Sequence, residues 1–159
     1  YSNAVAAPDF KFFFQSGWVG GMMVTLPLLI GKDVATESRE RAFRNLETFF
    51  DGASVHSSGY FYGRFAGHLR QWTTDYSFDD RPGTEHFMAL TLVRRQADCL
   101  YFLLRQLLLL PTAKVPDLWW DALKRQAYAF VKTWKENGQL GFFLDTNTGH
   151  VAIGNSTSA

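Results

Sequence analysis

The residues with most to offer chemically stand between positions 75 and 86. Asp79 and Asp80 are adjacent carboxylates, and Glu85 and His86 follow closely. Like charges held close raise the pKa of one partner, which suits a general acid, while the other stays ionised as base or nucleophile. His86 could shuttle a proton or bind a hydroxyl. The plainer alternative has one aspartate capping a turn, the other solvated, Glu85 serving a helix dipole and His86 hydrogen-bonded for structure.

A second set is aromatic. Trp18, Tyr60, Phe61, Tyr62 and Trp72 fall off helical spacing, several of them beside glycine. Aromatic faces stack on the apolar C–H faces of pyranose rings, so such residues suit sugar subsites. Otherwise they make a satellite hydrophobic cluster under a long loop. Arg94 and Asp98 lie one helical turn apart and share a face. They read either as an internal salt bridge or with Arg94 free to hold a sugar carboxylate.

Other chemistries lack their signatures. There is no phosphate-binding loop, dinucleotide-binding glycine pattern, nucleophile elbow or His-Glu-x-x-His. His56, His68, His86 and His150 show no ligand spacing, so neither metal nor cofactor is expected. Lone Cys99 excludes a disulfide framework and leaves the compartment open.

Composition narrows the class. In 159 residues, 47% are hydrophobic, 16% aromatic and 19% charged, which is a folding composition rather than a disordered one. With 16 Lys and Arg against 15 Asp and Glu there is no cationic field for nucleic acid. The uncharged run from Phe12 to Gly31 is long enough to cross a membrane, but Gln15, Ser16, three glycines, Thr25 and Pro27 interrupt it. No membrane span is expected.

Helices must position these groups. A glycine turn over 17–21 leads to a buried helix from about Met22, with Pro27 in or kinking it. Thr36 caps an amphipathic helix to Asp51, with Ala42, Phe43, Leu46, Phe49, Phe50 and Ala53 on one stripe. Residues 54–84 hold no long periodic segment and read as a long aromatic loop, with short strands or a helical turn expected around Arg64 to Trp72. Glu85 to Leu110 reads as one helix, apolar almost all round and therefore buried. Asp117 caps a helix to Asn137, whose inner stripe is Trp119, Leu123, Ala127, Phe130, Val131 and Trp134, with Gly138 as its stop. A hairpin over 140–144 and 151–153 follows. Residues 1–9 are expected to be a tag remnant or linker, and the helix-cap run over 155–159 makes the chain read as a piece of a longer protein.

Buried and half-exposed helices alternate. That is what an inner and an outer ring require, whereas a four-helix bundle would make its helices similarly amphipathic. The expected fold is all-α, part of an (α/α)₆ toroid with a small β-hairpin; residues 10–159 would supply about two hairpins.

Four segments carry a resemblance. They are Gln15-Ser16-Gly17-Trp18-Val19-Gly20-Gly21, Ser38-Arg39-Glu40-Arg41-Ala42, the run from Arg94 to Phe102, and Gly141-Phe142-Phe143 with Gly154-Asn155-Ser156-Thr157. They resemble the six-hairpin glycosidase families, bacterial carbohydrate-active α/α toroids. The resemblance implies a periplasmic or extracellular glycoside hydrolase, a carbohydrate substrate, and further hairpins of the same protein as packing partners. Asp79, Asp80 and His86, leading into the buried helix, would then stand at the barrel mouth as catalytic groups. Trp18, Tyr60, Tyr62, Trp72 and Arg94 would bind substrate. A polysaccharide lyase on the same toroid and a non-catalytic carbohydrate-binding module are the alternatives.

Overall fold

The structure, a computed structural model, describes residues 13–15, 22–31, 33–66, 70–74 and 89–154. Trp18, Asp79, Asp80, Glu85 and His86 lie outside the described residues.

Four helices and six short strands make up this part. Strand β1 (Phe13–Gln15) precedes helices α1 (Met22–Ile30) and α2 (Thr36–Gly52). Strands β2 (Arg64–Ala66), β3 (Gln71–Thr73) and β4 (Leu90–Leu92) follow. Helix α3 (Val93–Leu109), a 3₁₀ turn (Thr112–Lys114) and helix α4 (Asp117–Asn137) lead to strands β5 (Phe143–Asp145) and β6 (Val151–Ile153). The mainly helical character and the terminal hairpin agree with the sequence.

Two antiparallel three-stranded sheets flank the helices, in the orders β1-β2-β3 and β4-β5-β6. In the first, Phe14 faces Phe65 and Phe65 faces Trp72. In the second, Thr91 faces Leu144.

β4 corrects the sequence reading. The helix expected from Glu85 begins at Val93, and Leu90–Leu92 instead pairs with β5. The apolar run continues unbroken across the junction, so periodicity alone does not see the change. Pairing with β5 also satisfies backbone groups on a strand whose Thr91 is fully buried.

Helix α2 keeps its expected stripe, with Ala42, Leu46, Phe49 and Ala53 buried. Its cap is Ala35 rather than Thr36. Helix α4 ends as expected at Gly138, whose φ of +66° would strain a side-chain-bearing residue. Its inner stripe differs. Trp119, Ala122, Leu123, Gln126, Ala129 and Thr133 are buried, while Val131 and Trp134 face outward. The stripe accepts Gln126 and Thr133 because both find hydrogen-bond partners.

Helices α1 and α3 are less enclosed than their composition implies. Met23, Val24 and Ile30 on α1, and Tyr101, Leu104, Leu108 and Leu109 on α3, are exposed among the described residues. α3 turns Arg95, Gln96 and Gln106 inward instead. The main core joins Met22, Leu46, Phe49, Phe61, Leu103 and Trp119 across all four helices. A smaller core gathers Tyr60, Val93, Ala129 and Leu144. No helix among the described residues is long and apolar enough to cross a membrane.

Candidate functional site

The described sequence candidates do not converge on one open surface. Tyr60 is fully buried. Its ring meets Phe130 edge-on at 5.2 Å and its hydroxyl shares a 2.9 Å hydrogen bond with Thr133 Oγ1. Burial pushes the phenol up to about 12, and the Thr133 bond opposes this only in part. Tyr60 therefore works as a core residue, as the satellite-cluster reading allowed. Trp72 is half-buried, edge-on to Phe49 at 5.1 Å and to Phe65 at 5.3 Å, and its Nε1–H donates to the Thr48 carbonyl at 3.3 Å. A Cβ on Gly52 would fall 2.6 Å from the Trp72 ring, so glycine lets the indole lie against α2. Tyr62 is half-exposed; its backbone N–H donates to Ala53 O at 2.7 Å.

Arg94 stands in the first turn of α3, directly after β4. Its Nε lies 3.9 Å from Asp98 Oδ2, with the two side chains 66% and 29% exposed. This is a solvated pair, not the internal bridge that an all-buried helix would need, and its stabilising effect is small. The guanidinium is open to an anion from solvent.

The buried amides were not singled out from sequence. Gln96 Oε1 accepts from the Phe61 N–H at 3.1 Å, and its Nε2 donates to Phe61 O at 2.6 Å and Thr91 Oγ1 at 3.1 Å. The side chain thus imitates a neighbouring strand and fixes the Tyr60–Tyr62 loop on α3. Gln106 does the same for α1, donating to Met22 O at 2.8 Å and accepting from Thr25 Oγ1 at 2.7 Å. The available signal was glutamine inside otherwise apolar helical stretches.

A cleft among the described residues lies between α2 and α4. Phe50 and Trp119 stack at 4.8 Å with planes 12° apart, and form the floor of a cleft of about 740 Å³. Glu47 and Asp51, one helical turn apart on α2, stand on one wall. Arg125 of α4 lies opposite, its Nη2 donating to Ser54 Oγ at 3.3 Å, and His56 closes one end. Past Trp119 the cleft opens into a more apolar hollow of about 820 Å³ beside Leu29, Phe43, Leu110 and Lys114. The exposed part of the half-buried Phe50, beside carboxylate and guanidinium groups, can meet the apolar face of a ring while the charged groups hydrogen-bond its hydroxyls. Glu47 lies off the apolar stripe of α2, and only the packing of α4 on α2 brings it to the cleft. Among the described residues no group of three or more His, Cys, Asp or Glu could hold a metal ion.

Comparison with protein-family models, curated proteins and solved structures gives no match.

Proposed function

We propose that the chain forms two consecutive hairpins of an (α/α)₆ toroid and acts as a glycoside hydrolase through carboxylate acid/base chemistry. The observation that carries this reading is the order of helix neighbours. α1 packs on α2 and α3, while α4 packs on α3 and α2. An up-and-down four-helix bundle would instead place α2 beside α3 and α4 beside α1. Adjacent hairpins in two rings require the observed order, with α1 and α3 inside and α2 and α4 outside. The α2–α4 cleft adds a bed suited to sugar rings.

In this reading Asp79 and Asp80 supply the acid and its partner, His86 assists proton transfer, and Arg94 lies at the entrance of α3. The test is reducing-end release from a polysaccharide panel by the full-length gene product, with Asp79→Asn and Asp80→Asn beside it. Loss of roughly 10²–10⁴-fold in turnover in at least one variant is expected. Unchanged turnover in both removes the pair from catalysis, and an unsaturated, ultraviolet-absorbing product replaces hydrolysis by a lyase.

A further inference from the structure

Next to the α2–α4 cleft, a second hollow of about 560 Å³ lies between the 56–59 loop and α4. Arg125, Tyr128, Lys132 and Lys135 recur on α4 at helical spacing, so they form one stripe along it, about 15 Å long at 1.5 Å per residue. All four line this hollow, and His56 faces them from the loop. Tyr128 is 73% exposed. Lys135 has no ion-pair partner among the described residues. Lys132 reaches Glu136 only at 3.9 Å, in a solvated pair that an incoming anion can displace at little cost.

The loop side of the hollow is tied to the rest of the fold by hydrogen bonds. Ser57 Oγ donates to Asn147 O at 2.8 Å and Ser58 Oγ to Thr146 O at 2.6 Å, tying the loop to the β5–β6 turn. Gly59 has φ of +83°, and a Cβ there would fall 2.9 Å from Arg125 O. Glycine is what allows the loop to press on α4 beside Arg125. The hollow is therefore an open surface depression with several cations, one acid and an exposed aromatic ring.

We infer that this hollow binds an acidic saccharide, with Tyr128 against a sugar ring and Lys132 and Lys135, one helical turn apart, on its carboxylate. The volume matches a small ligand, and the near-neutral chain lacks the field that a long polyanion needs. The saccharide scaffold rests on the carbohydrate reading above; the preference for an anion rests on these side chains alone.

Calorimetric titration of the full chain with trigalacturonate, maltotriose and inorganic sulfate tests the site. Trigalacturonate is expected to bind at least tenfold more tightly than maltotriose or sulfate. Its affinity should fall about tenfold in Lys132→Gln/Lys135→Gln and severalfold in Tyr128→Ser. The substituted side chains are solvated, so folding survives, and an unchanged melting curve verifies this. Equal affinity for maltotriose overturns the anion preference, equal affinity for sulfate overturns the saccharide, and undiminished binding in the double lysine variant overturns the location. Hydrolysis is read separately by reducing ends. Loss of binding with hydrolysis intact sinks this site alone, and binding without hydrolysis sinks only the hydrolase.

Discussion

Gln126 donates from one amide nitrogen to both oxygens of Gln96, to the backbone carbonyl at 3.0 Å and to Oε1 at 2.9 Å. Both residues are fully buried. The pair ties α4 to α3, and Gln96 in turn holds the backbone of Phe61. A polar link at this depth is stabilising only while every member keeps its partners.

The two glutamines should therefore differ in cost. Gln96→Leu leaves the Phe61 N–H and carbonyl without the partner that brackets them, together with one Gln126 hydrogen. Each buried orphan costs about 1–3 kcal/mol, so a loss of about 3 kcal/mol in urea unfolding is expected. Gln126→Leu removes an amide whose own Oε1 is buried without a partner, and leaves the Phe61 bracket in place. It should cost about 1 kcal/mol. Equal losses in the two variants would show that the bracket on Phe61 contributes nothing particular.

Tyr60 predicts an alkaline limb in stability. An unfolded tyrosine ionises near 10, whereas the buried phenol is pushed up to about 12. Between these values the unfolded state releases a proton that the folded state keeps, so unfolding gains. Stability attached to this group is complete below pH 10, falls between pH 10 and 12, and is level above. The size is about 3 kcal/mol. Tyr60→Phe should lack this limb while losing about 1 kcal/mol at neutral pH with the Thr133 bond. Parallel stability–pH curves for the two proteins would contradict the assignment.

Apolar spacing made α2, the ends of α4 and the terminal hairpin legible, because each carries its own period and stop residue. It could not find β4, whose Leu90 and Leu92 continue the apolar run into α3 while the partner strand lies some fifty residues further along. On α4 it placed Trp119 and Leu123 inside correctly, but Ala127, Val131 and Trp134, which it also expected inside, face outward. Spacing ranks Val131 and Trp134 by hydrophobicity, whereas packing selected Gln126 and Thr133, whose polar atoms have partners only in three dimensions. The α2–α4 cleft was illegible for a related reason. Glu47, Asp51 and Arg125 are ordinary surface charges until two helices distant in sequence bring them around Phe50 and Trp119.

The tryptophans of α4 give a direct test of that reversal. Trp119 is buried, stacked on Phe50 and 5.7 Å from Phe43, so Trp119→Ala opens a cavity and removes the cleft floor. A loss of about 3–5 kcal/mol is expected. Trp134 is 57% exposed, and Trp134→Ser should stay within about 0.5 kcal/mol. Thermal melts of the two variants decide it, and a larger loss for Trp134 would restore the stripe expected from sequence.

The proposed toroid makes its sharpest prediction at Leu108 of α3, which is 65% exposed. Within the present 159 residues a leucine in that position buries little surface. Leu108→Lys should therefore change stability by less than about 0.5 kcal/mol and improve solubility. If α3 is an inner helix, a neighbouring hairpin of a longer gene product covers this side chain. The same substitution there places an ammonium in an apolar interface and should cost about 3 kcal/mol or more. Chemical unfolding of both lengths, each with and without the substitution, reads the difference. A cost that does not depend on chain length means that no hairpin packs on this flank, and the two-ring arrangement then loses its inner ring.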